Sequence, residues 1–248
     1  MDSSKVSIVT VCLNTVNEIE ATIFSVLNQS YANVEYIVVD GGSTDGTVDV
    51  IRKYQDRIAH FISEPDEGIY DAMNKGVDLA IGEWINFMNA GDYFASNTVI
   101  EKIMKGKNSD CDVLYGNTIL VRGDHQVIRK GNCLENEFPK LSHQSVFVKT
   151  ELMKERHFDL KYKISADFEF LYKLYKEGRN FCYKDIEVAR FDMNGLSTTH
   201  RTLLYQEHCA IRGVKPRWYK LLKYRIEDVL PQKFVNWLSK RLYGKGNR

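Results

Sequence analysis

No apolar run in this chain of 248 residues approaches the ~18 residues needed to span a bilayer. No basic-then-apolar leader opens it: Met1-Asp-Ser-Ser-Lys5 runs straight into a β-type stretch, so no secretory signal is expected. The cysteines at 12, 111, 133, 182 and 209 are odd in number and include no Cys-x-x-Cys. Their scatter argues against a disulfide framework and against structural zinc, and implies a reduced, cytoplasmic protein. No Gly-x-Gly-x-x-Gly follows the first apolar run, which ends Cys12-Leu-Asn-Thr-Val16, and a dinucleotide site is thereby excluded. No internal repeat or low-complexity linker breaks the chain. Its basic residues accompany no DNA- or RNA-binding motif, so nucleic acid is not an expected partner.

What is present is a globular composition, 44% hydrophobic, sufficient for a real core. Short β-branched runs alternate with helical periodicity through the first hundred residues. Strands are expected at 6–13, 35–40, 60–64 and 84–89, and helices at 18–29, 47–57, 69–80 and 96–106. Strands alternating with helices build a parallel sheet with crossover connections. Beyond residue 106 the pattern changes. Runs at 112–116, 118–121 and 126–129, with Arg122-Gly-Asp124 as a turn, read as antiparallel strands, followed by a strand at 145–148. A helix at 166–177 places Phe168, Leu171, Leu174 and Tyr175 on one side. A last strand spans 183–191 and a helix 199–212. The expected fold is α/β: an open, mostly parallel twisted sheet flanked by helices, with a mixed second half. The domain is expected to span 1–211, in halves 1–106 and 107–211, with a basic helical extension over 212–248.

Net charge is only +1, but it is unevenly spread. Residues 212–248 hold 11 Lys/Arg against 2 Asp/Glu, or +9, which leaves 23 against 31, or −8, for residues 1–211. A basic tail on an acidic body suits an anionic partner surface.

The polar residues collect where strands end, and in open α/β sheets that edge binds ligands. Asn14 follows the first strand. Asp40-Gly-Gly-Ser-Thr-Asp45 follows the second, where Asp40 can accept from an imide N–H or a ribose hydroxyl and Gly42 admits close backbone approach. The same segment also reads as a plain strand-to-helix turn with a cap. Asp66 and Gly68 precede a helix whose start carries Asp71, Asn74 and Lys75, a setting that favours phosphate. Trp84-Ile-Asn-Phe-Met-Asn-Ala-Gly-Asp92 ends in Asn89 and Asp92. A carboxylate there can hold Mg²⁺ or Mn²⁺ against a diphosphate, or can simply be a turn aspartate.

Taken in this order and spacing, four segments resemble the family 2 glycosyltransferases, the large inverting GT-A group: Val6–Asn14, Val38–Thr47, Asp66–Gly76 and Gly82–Asp92. More narrowly they resemble its bacterial polysaccharide branch, typified by colanic acid and O-antigen transferases. The resemblance covers about residues 5–200. It implies a hexosyl- or N-acetylhexosaminyltransferase that moves a sugar, with inversion, from a nucleotide donor, a UDP-sugar foremost, to a saccharide acceptor carried on a polyprenyl diphosphate. By that resemblance Val11 and Leu13 line the base pocket, Glu18 and Asp40 lie near uracil and ribose, and Asp92 binds a divalent cation, Mn²⁺ or Mg²⁺. Asn14, Gly42, Asp71, Asn74 and Asn89 complete the donor site. Asn89 and Gly91 stand where many relatives carry acids, which leaves metal binding to Asp92 with water and phosphate oxygens.

Inverting transfer needs one base, and a positioned carboxylate is typically worth ~10²–10⁴-fold. The resemblance places it in Ile164-Ser-Ala-Asp-Phe-Glu169, with Asp167 foremost and Glu169 second. Ser165 can cap the following helix, and an acid in its first turn also stabilises the helix without catalysis. His143 and Gln144 can reach acceptor or donor sugar, His143 can complete the metal site, or it can be a satisfied structural histidine. Asp192–His200 is a polar loop able to fold over the donor.

The tail interleaves Trp218, Tyr219, Trp237 and Tyr243 with Lys and Arg, a composition suited to a membrane surface and equally open to packing on the body or to a dimer contact. Such a protein would be cytoplasmic and peripheral on the inner face of the plasma membrane. Two other readings stand beside the transferase. One is a catalytically inactive nucleotide-binding or adaptor protein of the same fold. The other, a sugar-nucleotide pyrophosphorylase, needs a glycine- and basic-rich loop that Leu13–Glu18 does not supply.

Overall fold

The computed structural model describes residues 4–122, 125–131, 138–139, 141–192 and 200–230. The chain divides into two compact units, residues 1–193 and 194–248.

The first unit is built on a mixed sheet. Its first half comprises β1 (Val6–Cys12), β2 (Val34–Asp40), β3 (His60–Ser63) and β4 (Trp84–Phe87). The second comprises β5 (Tyr93–Phe94), β6 (Val113–Arg122), β7 (His125–Arg129), β8 (Val146–Lys149) and β9 (Phe181–Asp192). The order across the sheet is β3-β2-β1-β4-β8-β6-β9-β5, with β7 also on β6. The first four strands pair in parallel, Val6 facing Val34 on one side and Trp84 on the other. β8 joins the halves, antiparallel to both β4 and β6.

β1 and β2 are near-continuous Val/Ile runs because both their faces are covered. Helices α1 (Ile19–Leu27), α2 (Thr47–Arg52) and α4 (Val99–Met104) pack with Ile8, Val38 and Trp84 on one side. α3 (Ile69–Leu79), α5 (Thr150–Arg156) and α6 (Ala166–Lys176) pack with Val9, Ile37 and Phe87 on the other. α3 comes unusually close to the sheet at Gly76, where a Cβ would lie 2.4 Å from Val9 Cγ1.

Several expectations are corrected. The expected helix 47–57 stops at Arg52 and resumes as a 3-10 turn, Gln55–Arg57. The two strands expected at 112–116 and 118–121 are one, β6, continuous through a register shift between Tyr115 and Thr118. The buried stripe of α6 is Ala166, Glu169, Phe170, Leu171 and Leu174. Phe168 instead joins an aromatic cluster with Phe138 and Tyr172. The cysteines are not all unpaired: Cys111 and Cys182 form a disulfide between the starts of β6 and β9. These strands are adjacent, with Leu114 opposite Cys182, and that register, invisible in the spacing, brings the sulfurs together. Cys12 and Cys209 are free and buried, and Cys133 lies outside the described residues.

The second unit contains helices Arg201–Ile211 and Trp218–Val229. Tyr205 packs on Tyr224, and Asp228 accepts from the N–H groups of Arg201 and Thr202. The turn expected at 123–124, most of the 192–200 loop and the tail beyond Leu230 lie outside the described residues. Among the described residues, no helix is long and apolar enough to cross a membrane.

Candidate functional site

β1, β2 and β4 run in parallel, so their carboxyl ends open on one edge, where Asn14, Asp40, Gly42 and Asn89 follow or end the strands. Asp40 ends β2 fully buried. It accepts from the N–H groups of Gly42 and Ser43 at 3.1 and 2.9 Å, from Ser63 Oγ at 2.7 Å, and from Ser43 Oγ. Burial would raise its carboxyl, but these hydrogen bonds outweigh it and hold the group below the usual carboxylate range. The carboxylate that the sequence offers to a nucleotide thus organises its own turn. Gly42 sits at φ 87° over Pro65, a conformation that favours glycine.

The β1–α1 loop is laced to that turn. Asn14, itself left-handed at φ 51°, accepts from Thr44 N–H at 2.9 Å and donates its own N–H to Ser43 Oγ at 2.7 Å. Val16 N–H reaches Asp45 at 3.0 Å. Val11 is buried against Val39, while Leu13 is 51% exposed at the rim, where an apolar ligand face can rest. Glu18 is exposed at the start of α1, beside Gly91.

α3 begins behind a loop that caps itself. Asp66 accepts from Gly68 N–H and Asp71 from Glu67 N–H, at 2.9 and 3.0 Å. Asp71 also faces Lys75 at 3.6 Å. Asn74 turns away from the crevice: its amide takes Phe158 N–H at 2.8 Å and donates to Phe158 C=O at 3.0 Å.

The chemical groups meet between the two sheet halves. A 3-10 turn, His143–Ser145, runs into β8 and presents consecutive side chains to the end of β4. Gln144 donates to Asp92 Oδ2 at 2.7 Å. His143 faces Asn89 Nδ2 through Nε2 at 3.2 Å and Asp167 through Nδ1 at 3.1 Å. Facing a carboxylate, Nδ1 is the nitrogen that carries the proton given to Asp167. The far oxygen of Asp167 accepts from Tyr70 Oη at 2.7 Å. His143 and Asp167 are 21% and 22% exposed, so a substrate hydroxyl can reach the pair. Burial opposes charge on both. Their hydrogen bond and mutual attraction win, raising the imidazole and lowering the carboxyl from ordinary values.

Two carboxylates thus face the crevice side of the sheet, the partly exposed Asp167, held by His143 and Tyr70, and the buried Asp92, held by Gln144. The family 2 glycosyl transferase model matches residues 7–178. The chain belongs to that family. It is 28% identical over 205 residues to a PGL/p-HBAD biosynthesis glycosyltransferase of Mycobacterium tuberculosis, covering 78% of this chain and 79% of the relative. It is similar to the structure of S. aureus TarS 1-349 in complex with UDP-GlcNAc, with TM-score 0.65, 19% identity, and 84% and 65% of the two chains covered. It is also similar to a mannosyltransferase from Pyrobaculum calidifontis in complex with GDP-Man and Mn²⁺, with TM-score 0.64, 16% identity, and 99% and 76% covered. These likenesses show the GT-A fold, and the family makes the protein a glycosyltransferase.

In this glycosyltransferase the departures at 89 and 91 have structural counterparts. Gly91 lies at φ 94°, where an L side chain is strained, and its N–H donates to Thr22 Oγ1 at 3.1 Å. Asn89 Oδ1 is buried without a hydrogen-bond partner. That oxygen and the Asp92 carboxylate are hard donors, so the residues present fit Mg²⁺ or Mn²⁺, although no cluster of three acidic, His or Cys ligands occurs among the described residues. Ser165 heads α6, but its Oγ makes no cap bond and is buried without a partner, a correction to the expected cap. Glu169 is buried and paired with Lys173. Two contributors were not singled out from sequence. Tyr70 had a signal, since it precedes Met73 and Val77 on the inward face of α3. Thr22, which also donates to Asp92 C=O at 2.8 Å, had none.

Proposed function

We propose that the protein transfers a sugar, with inversion, from a UDP-linked donor to a saccharide acceptor carried on a polyprenyl diphosphate, in bacterial surface polysaccharide assembly. The observation that carries this reading is Asp167, held below the usual carboxylate range by His143 and partly exposed, with Asp92 held by Gln144, the next residue along from His143. One base of this kind suits direct displacement. The acceptor O–H breaks, its proton passes to Asp167, and the acceptor oxygen bonds the anomeric carbon as the sugar–phosphate bond breaks with its electrons on the diphosphate. Asp92 and Asn89 Oδ1 are the residues that would hold a divalent cation, whose chemistry is to stabilise charge on the departing diphosphate. The Leu13 rim and the Asp40–Asp45 turn would receive the nucleoside.

The second unit supports a membrane-associated acceptor. On helix Trp218–Val229, Trp218, Leu222, Ile226 and Val229 are exposed along one side. Lys223 and Arg225 flank them, and the side bearing Tyr224 and Asp228 meets the other helix. An apolar strip bordered by cations suits an anionic lipid surface at the inner face of the plasma membrane.

The test is thermal unfolding with nucleoside diphosphates and UDP-sugars, with and without Mn²⁺. A ligand confined to the folded state stabilises by about 2.7 kcal/mol at a hundredfold over its Kd. A UDP-selective shift that needs Mn²⁺ is expected. A GDP-selective shift moves the donor assignment, and no shift with any nucleotide favours a non-catalytic protein of the same fold.

A further inference from the structure

We propose that Tyr70 is a positioning residue for transfer: its hydroxyl fixes the orientation of Asp167 and ties the base to α3. The proposal rests on the reading of Asp167 as the base. A carboxylate held through one oxygen swings about its last bond. Asp167 is held through both, Oδ2 by His143 at 3.1 Å and Oδ1 by Tyr70 at 2.7 Å. The two partners come from different elements, the turn before β8 and the first turn of α3, so neither can follow a swing of the other. The carboxylate plane is then held at one angle. Misplacement of about 1 Å at a reacting group can cost about 10²-fold in rate, so a fixed angle matters.

Tyr70 is itself braced. It is 7% exposed, and its ring lies 5.4 Å from that of Phe158. Asn74, one turn further along α3, grips both backbone groups of Phe158. α3 in turn sits directly on β1 through Gly76 and Val9. At its other end the Asp66 loop abuts the donor-side turn so closely that a Cβ on Gly41 would lie 2.3 Å from Asp66 Oδ2. The N-terminal end of α3 therefore touches both sides of the crevice, the donor-side turn through the Asp66 loop and the base through Tyr70. Asn74, expected from sequence as a donor-site contact, thus braces Tyr70 through Phe158 instead.

The groups facing Asp167 are the Tyr70 hydroxyl, His143 and the Phe168 N–H, and His143 also feels Asp92. Removing the hydroxyl removes one of the bonds that keep the carboxyl ionised, so the acid limb of the rate profile should move to higher pH.

Tyr70→Phe and Asp167→Asn are compared using the UDP-sugar that gives the largest thermal shift. For Tyr70→Phe the expected result is unchanged donor KM and UDP Kd, kcat reduced at least about tenfold, and an acid limb of kcat shifted upward. Wild-type kcat and acid limb in Tyr70→Phe, with Asp167→Asn inactive, overturns the proposal and leaves the base reading standing. Wild-type transfer by Asp167→Asn overturns the base reading instead. If Tyr70→Phe unfolds, a ring-fluorinated tyrosine at position 70 keeps the packing and donates more strongly. It should move the acid limb downward, and an unmoved limb counts against the proposal.

Discussion

Gln144 Nε2 donates to Asp92 Oδ2 across 2.7 Å, and both side chains are almost wholly buried. A buried carboxylate that loses a donor costs about 1–3 kcal/mol, more than the bond contributes net when formed. Gln144→Leu should therefore lower the melting temperature and, by releasing Asp92, weaken the Mn²⁺-dependent part of the UDP shift. Gln144→Glu should do worse, since it sets two acids together. Equal melting curves for Gln144→Leu and wild type would show that the bond does not hold Asp92.

The His143–Asp167 pair predicts a stability window. The Asp167 carboxyl is lowered from 3.8, so its contribution is complete above that value and fades as pH falls through the folded value. The His143 imidazole is raised from 6.5, so its contribution is complete below that value and fades as pH rises through the folded one. The melting-temperature difference between wild type and His143→Gln should peak between these limits and shrink on either side. A difference that is flat from pH 4 to pH 9, set by ordinary buffers, contradicts the pair.

Asn74 offers a clean separation of ligand contact from bracing. Its amide is spent on Phe158 N–H and C=O. Asn74→Ala should cost about 1–3 kcal/mol of stability and leave the Kd for UDP within about twofold, roughly RT ln 2. A large loss of UDP affinity in a fully folded variant would return Asn74 to the donor site.

Gly76 tests how tightly α3 is seated. An added Cβ would lie 2.4 Å from Val9 Cγ1, so α3 must lift from β1 or Val9 must rotate. Overpacking of this kind costs about 1–3 kcal/mol. Gly76→Ala should therefore destabilise the protein, despite the higher helix propensity of alanine, as read by chemical denaturation. Unchanged or raised stability would mean that the helix seat is slack.

The parallel half was readable because its signals are local. The β-branched run of β1 stops at Cys12, two residues before Asn14, and that of β2 stops in Asp40, so each break in the apolar pattern marks a strand end. α3 announces itself by its glycine start and by Met73 and Val77 at helical spacing. The second half depends on partners far along the chain. Tyr93–Phe94 is a strand only because β9 offers Ala189 and Arg190 to pair with it. Thr150–Arg156 has too short a period to stand out. In the site, the residue types at the strand ends were legible, whereas their bonds were not. His143 meets Asp167 where the turn before β8 comes against the first turn of α6, Cys111 meets Cys182 through the β6–β9 register, and Asp40 and Asn74 spend on neighbouring protein groups the polar atoms expected to meet a ligand.

β6 is paired along both edges, with β8 and β7 on one and β9 on the other. During synthesis this becomes a matter of timing. The parallel half can close on neighbours soon after each strand leaves the ribosome. β6 gains one set of partners early, but its other edge stays open until the chain reaches Phe181, and an open edge of that length is a template for pairing with another molecule. The pairing of β6 with β9 is therefore the step expected to be slow and aggregation-exposed, and slower translation between Arg129 and Phe181 should lower the soluble fraction of the expressed protein rather than raise it.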